Sequence, residues 1–242
     1  MNHSHESRST SEVVEVSAGV RSVIDVISDV VCPWCFIGKR RLEKALALLE
    51  RQDVTVRWKP FELNPDAPKQ GMDRQAYRTR KFGSLAYAQQ LETRVAAAGA
   101  EEGIEFRFDR ITKIPNTFEA HRLIWFAGRE QLQNTVAENL FRAYFIAAED
   151  VGDTEVLKRI GAESGLDSGR LEELFTARIG TEELISEESE ARTRGVSGVP
   201  TFFIDEELIT SGASRPELLA AILGPALGPA LSRCSPENGT CS

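Results

Sequence analysis

SVIDVISDVVCPWCFIGKRRLEKAL, residues 22–46, is the stretch on which the fold turns. Its first seven residues, SVIDVIS (22–28), are short, apolar and β-branched, the composition of a buried strand. From Pro33 the period changes. Phe36, Ile37, Arg40, Leu42, Leu46 and Leu49 recur at three- and four-residue steps, which predicts a helix. Pro33 suits its first turn, where a missing N–H costs nothing. Between strand and helix stands Cys32-Pro33-Trp34-Cys35. A Cys-x-x-Cys at such a junction points to thiol–disulfide chemistry. The free N–H groups and dipole of a helix N-terminus favour a negative sulfur at Cys32. Cys35 lies one turn on, within reach of it. Cys32 is therefore read as the attacking residue and Cys35 as the resolving one. Pro33 and Trp34 shape the turn, and Trp34 is placed to meet a partner or a lid.

Outward from this centre, VTVRWKPFEL (54–63) alternates and predicts a second strand. Pro60 within it marks a sheet edge or the strand's end, and Trp58 and Phe61 are read as packing residues. NPDAPKQG (64–71) is a breaker loop. A long helical region follows, with helices expected over 72–99 (broken near Gly83), 116–129, 131–148, 153–163, 168–177 and 180–193. Asn116 and Asp167 are candidate caps. EFRFDR (105–110) is read as an extended connector. Strand character returns at TFFIDE (201–206) and ELITSG (207–212), as in a short hairpin. SRPELLAAILG (214–224) is the last helix, capped by Ser214, with Pro216 in its first turn and Gly224 stopping it.

This layout predicts an α/β fold: strand-helix-strand at one end and hairpin-helix at the other, joined in one four-stranded sheet. The expected domains are a disordered polar lead (1–19), a discontinuous sheet domain (20–65 and 195–225), an inserted helical domain (66–194) and a tail (226–242). The chain has 242 residues with 41% hydrophobic and 27% charged, ordinary for a globular protein of one or two domains. A formal charge of −8 argues against nucleic acid and anionic lipid as partners. No run approaches 18 apolar residues, so no membrane span is expected. The first residues lack a basic-then-apolar leader, and the cytoplasm is the expected compartment.

Four cysteines occur as two close pairs, and the second pair is Cys234 and Cys241. Two core cysteines at 32 and 35 would need neither the proline nor the helix start. A four-cysteine zinc site would require Cys234 and Cys241, whose six intervening residues exceed the usual two to four. Pro236 and Asn238-Gly239 favour a chain reversal between them. That leaves a structural clip, inert thiols, weak metal binding or an accessory redox pair exchanging electrons with Cys32–Cys35. Gly198-Val199-Pro200-Thr201 precedes a strand. A trans proline there would be merely structural. A cis bond would present the Val199 backbone opposite Cys32. His121 is the only histidine outside the lead; it and its neighbours Asn116 and Arg122 either approach the cysteines or form a capping, surface-bridging cluster. Asp25 or Asp29 is a candidate buried proton acceptor for Cys35. His3 and His5 beside Glu6 offer only adventitious metal binding, and no metal site is expected.

The joint pattern resembles the DsbA branch of the thioredoxin superfamily and, more closely, its FrnE-like oxidoreductases. The matching words are DVVCPWCFIGKRRLEKAL, WKPFELNP, NTFEAHRLIWFA and GVSGVPTFFID followed by SGA, over roughly residues 22–224. The resemblance implies a thioredoxin-like fold with a DsbA-type helical insertion, a redox centre at Cys32 and Cys35, and a cis Pro200. It modestly raises a site-facing role for Asn116 or His121. The implied activity is protein thiol–disulfide exchange in the oxidase, reductase or isomerase direction. The implied cofactor is only the redox-active disulfide itself, with glutathione or thioredoxin as electron partner and protein thiols or disulfides as substrates. Oligomeric state is left open. Relatives resembling kappa-class glutathione transferases and 2-hydroxychromene-2-carboxylate isomerases usually lack the second cysteine. Intact Cys35 favours dithiol exchange over that glutathione-dependent alternative. A non-catalytic, stress-related binding protein is the other alternative.

Overall fold

A computed structural model describes residues 22–229; the polar lead and Cys234 and Cys241 lie outside the described residues. In chain order, β1 is Val23–Ser28, α1 Pro33–Leu48, β2 Thr55–Pro60, β3 Met72–Asp73, α2 Arg74–Phe82 and α3 Leu85–Glu101. Then come β4 Lys113–Ile114, α4 Phe118–Gly128, α5 Gln133–Phe145, α6 Thr154–Glu163, α7 Ser168–Thr176 and α8 Thr181–Thr193. β5 Thr201–Ile204, β6 Glu207–Ser211 and α9 Pro216–Leu227 close the order.

The sheet runs β2-β1-β5-β6, with β1 parallel to β2 and antiparallel to β5. Together with its large helical insertion this is the thioredoxin-like fold of DsbA type. β1 is interior to the sheet and its side chains alternate between two apolar layers. Ile24 and Val26 join Phe202 and Ile204 in the large core beneath α1 and α9, whereas Ile27 joins Phe203, Phe61 and Ala191 of α8. That two-sided burial is why SVIDVIS reads as a continuous apolar run.

β2 is an edge strand, and Pro60 ends it, as the proline suggested. Its outer backbone does not stay free. The Gln133 amide accepts from Trp58 N–H at 2.8 Å and donates to Trp58 C=O at 3.0 Å, standing in for a neighbouring strand. Trp58 and Phe61 are both buried, as packing residues are. The β5–β6 hairpin turns at Asp205 and Glu206, both at positive φ (48° and 68°), the conformation of a two-residue primed turn.

Three local expectations need correcting. The expected 72–99 helix starts later, because Met72-Asp73 pairs with Lys113-Ile114 in a two-residue ladder and Asp73 caps α2 from Ala76 N–H. Asn116 is not the cap of α4. Thr117 occupies that position, while Asn116 accepts from Phe118 N–H at 3.1 Å and donates to Ala67 C=O at 2.9 Å. The last helix neither begins with a Ser214 cap nor stops at Gly224. Arg215 holds the cap position without a side-chain bond, and α9 continues through Gly224 and Pro225 to Leu227. The reason is tertiary: Leu223 and Leu227 are buried in the core, and the Arg51 guanidinium binds the C=O groups of Leu227 (3.2 Å) and Gly228 (2.8 Å). Asp167 does cap α7, accepting from Arg170 N–H at 2.9 Å. Residues 105–110 form no ladder. Phe106 and Phe108 stack there at 4.8 Å and pack on Phe145.

Candidate active site

Cys32 is the N-cap residue of α1, extended at φ −92° and ψ 112°, with Pro33 in the first turn. Its N–H donates to Asp29 C=O at 3.0 Å, and its C=O accepts from Cys35 N–H at 3.0 Å. The cysteine turn is thus built from the end of β1 and the first turn of α1. Both cysteines are free thiols; Cys32 is 6% exposed and Cys35 wholly buried. Burial first, and then the bond and charge of the neighbouring Cys32 sulfur, push the Cys35 thiol well above its ordinary value. The Ser28 hydroxyl and the Asp29 backbone act against that rise without cancelling it.

The Val199–Pro200 peptide is cis, and it faces the cysteine turn: Cys32 Sγ–H points to Val199 C=O at 3.6 Å. α1 comes so near Pro200 that a Cβ on Gly38 would meet the ring Cγ at 2.9 Å. Behind this contact, buried Arg41 of α1 ties two segments together. Its Nε donates to Glu102 Oε1 at 2.7 Å and its Nη1 to Ala213 C=O at 2.6 Å. The loop after β6 is thereby fixed against α1 and α3.

Cys32, Pro33 and Trp34 form one wall of a 490 Å³ cleft. Trp34 is 39% exposed, unusual for so large a side chain, and stands at its side. α2 and α3 supply the opposite wall. Arg74, Arg78, Lys81 and Arg94 face the cleft from these helices, above an apolar lining that includes Phe82, Leu91 and Phe108. Nothing in the sequence reading singled them out. The clue was available in RQAYRTRKF (74–82), where basic residues at three- and four-residue steps share a helix face.

His121 and Asn116 do not line this cleft. α4 packs chiefly on α5, α6 and β2 and also touches α8, and His121 is brought to Asp29, next to the cysteine loop. There its Nε2 lies 3.4 Å from Asp29 Oδ1, and both side chains are buried. Burial opposes the imidazolium, but the Asp29 bond and charge, with Glu62 and Glu188, raise its pKa overall. Asp29 also accepts from Val31 N–H at 3.3 Å and Leu63 N–H at 2.8 Å, fastening the cysteine loop to the end of β2. Asp25 is turned elsewhere, in a two-pronged bond with Arg57 across β2. Arg122 is fully buried and binds the C=O groups of Leu174 and Ile179, a structural clamp between α4 and α7. Among the described residues no cluster of three metal-ligating side chains occurs, and no helix is long and apolar enough to cross a membrane.

Residues 23–224 match the family described as DSBA-like thioredoxin domain. The chain is 28% identical over 196 residues to the Bacillus subtilis (strain 168) protein YwbO, covering 79% of this chain and 91% of that one. It is 31% identical to a probable DsbA oxidoreductase from Streptomyces coelicolor, with a TM-score of 0.79 over 91% of this chain and 98% of the other. A 2-hydroxychromene-2-carboxylate isomerase shares the fold at 17% identity, with a TM-score of 0.64 over 84% of this chain and 95% of its own.

Proposed function

The chain belongs to the family of DsbA-like thioredoxin domains, and from that premise we propose that it is a thiol–disulfide oxidoreductase working through Cys32 and Cys35. The observation that carries the reading is the pairing of a thiol on a cleft wall with a second, wholly buried thiol in bonding contact behind it. A shared fold alone does not choose between exchange and glutathione-dependent isomerisation. Retention of Cys35 in this position favours exchange.

In the reducing direction, the Cys32 thiolate attacks one sulfur of a substrate disulfide. A Cys32–substrate mixed disulfide forms and the other substrate sulfur leaves as a thiolate, which takes up a proton. Cys35 then loses its proton and attacks Cys32 Sγ. The intramolecular disulfide closes, the second substrate thiolate leaves, and two electrons have passed from the dithiol to the substrate. Oxidation of a substrate dithiol runs the same steps backwards. The raised pKa of Cys35 suits this order, because Cys35 stays protonated while Cys32 reacts. Pro33 and Trp34 shape the turn, and the Val199 carbonyl lies alongside the reacting sulfur, where a substrate backbone can run.

The finer assignment is to FrnE-like members acting on protein thiols and disulfides in the cytoplasm, with glutathione or thioredoxin as electron partner. Cytoplasmic thiols are kept reduced, so the dithiol would be the resting form. Cys234 and Cys241 are proposed as an accessory pair. The test is trapping. Cys35→Ser incubated with a disulfide-bonded peptide should accumulate a mixed disulfide, and Cys32→Ser should accumulate none. Full retention of activity in the Cys32→Ser/Cys35→Ser double variant would overturn the reading in favour of a binding protein.

A further inference from the structure

The wall facing Cys32 is strongly basic in a chain whose formal charge is −8. Four cations, Arg74, Arg78, Lys81 and Arg94, face a single cleft carboxylate, Glu92. Glu92 is already shared: one oxygen bonds Arg74, and the other lies 2.7 Å from Arg78 Nη2. Arg78 Nη2 is buried at this contact, so Arg74, Glu92 and Arg78 together keep a net positive charge in the wall. The Lys81 ammonium donates to the Tyr77 hydroxyl at 2.6 Å and rests over the Tyr77 and Phe82 rings. Among the described residues neither Lys81 nor Arg94 is paired with a carboxylate, and both are exposed. The same cleft is also lined by Phe82, Leu91 and Phe108.

Resting on the oxidoreductase reading, we infer that the cleft selects polypeptide disulfides whose flanking residues combine carboxylates with a bulky apolar side chain. The apolar residue packs on Leu91 and Phe108, and the carboxylates meet the exposed cations Lys81 and Arg94. The volume, 490 Å³, is that of a small-ligand site and admits a peptide segment, not a folded surface. The substrate disulfide therefore sits in an unfolded or projecting segment. Its backbone can continue past Cys32 along the Val199 carbonyl. The overall negative charge makes the contrast sharper: an acidic segment is repelled by most of the surface and attracted at this wall.

The test uses the reduced, full-length protein and three disulfide-containing peptides that differ only in flanking residues: Glu and Leu, Gln and Leu, or Lys and Leu. The rate of peptide reduction is followed in a single turnover, with oxidised glutathione as a fourth substrate. The Glu peptide should react about tenfold faster than the Lys peptide at low salt, the sum of two exposed charge contacts. The ratio should approach one at about 1 M salt, where the Debye length is near 3 Å. Lys81→Glu/Arg94→Glu should abolish or invert the preference; both positions are exposed, and circular dichroism verifies folding. Equal peptide rates at low salt, or a faster Lys peptide, would overturn the inference and leave the oxidoreductase reading standing. Reduction of glutathione disulfide by the protein, with reduction of none of the peptides, would overturn it in favour of a small-molecule site. If no disulfide reacts and Cys35→Ser traps nothing, it is the oxidoreductase reading that fails.

Discussion

At the residue scale the two cysteines are chemically unequal because their surroundings are unequal. Cys32 caps the helix on the cleft wall, whereas Cys35 is wholly buried and its thiol is held up by burial and by its neighbour. Iodoacetamide at pH 7 should therefore alkylate Cys32 at least about tenfold faster than Cys35, which peptide mapping by mass reads directly. Equal labelling would contradict the assigned order of attack. A second residue-scale consequence concerns Glu62. Burial, opposed by the His121 charge and aided by Glu188 and Asp29, lifts its carboxyl from 4.5 to about 7. Its Oε2 is buried without a partner, while Arg192 from α8 bonds Glu188 and the Glu62 carbonyl instead. Because the folded value lies above the unfolded one, folding holds an extra proton between pH 4.5 and about 7. Stability from this group thus falls as pH rises through that window and stays low above it. The raised His121 acts in the same sense, stabilising while protonated and losing that contribution as pH rises through its folded value. Glu62→Gln should melt about 3 °C above the parent at pH 8, with the gain vanishing near pH 4.5. A gain independent of pH would show that the charge is not its source.

At the scale of elements, the site depends on how closely α1 approaches the loop before β5. Gly38 allows the Pro200 ring to press on the helix, and Arg41 fastens the same helix to Glu102 and Ala213. Gly38→Ala puts a methyl 2.9 Å from Pro200 Cγ, so helix or loop must shift. Overpacking of this kind typically costs about 1–3 kcal/mol. A drop of that size in urea unfolding, with slower disulfide exchange, is expected. Unchanged stability and exchange would mean that the contact relaxes freely. On the other face of α1, Phe36 stacks on Phe141 of α5 at 5.1 Å and is fully buried. Phe36→Ala should cost about 3–5 kcal/mol, because it opens the seam between the sheet layer and the helical insertion. A loss under about 1 kcal/mol would show that the seam is not tightly packed.

For the molecule as a whole, that seam decides cooperativity. One contiguous apolar core contains Ile24 and Phe202 from the sheet, Phe36 from α1, Leu123 and Leu140 from the insertion and Leu223 from α9. The sheet and the insertion share this core, so they should unfold together. Far-ultraviolet dichroism and tryptophan fluorescence should give coincident single transitions in urea. Separate midpoints would establish the insertion as an independently unfolding unit. The uneven charge of the whole molecule belongs to the same scale: a net −8 chain reserves a basic wall for its cysteine cleft.

What the sequence determined by itself was local or periodic. The change from a β-branched run to three- and four-residue spacing at Pro33 placed β1, α1 and the cysteine turn, and the acidic dipeptide at 205–206 placed the hairpin. Those signals survive because adjacent backbone geometry governs them. Tertiary structure alone decided where side chains distant in sequence meet. It took His121 away from the cleft and set it on Asp29, since α4 packs chiefly on α5, α6 and β2. It carried α9 past Gly224 and Pro225, since Arg51 and the core outweigh two helix-breaking residues. It also brought the basic face of α2 and Arg94 of α3 opposite Cys32 across roughly 50 residues of chain. No periodicity within one segment encodes the partner that its face will meet, because that depends on the packing of every layer at once.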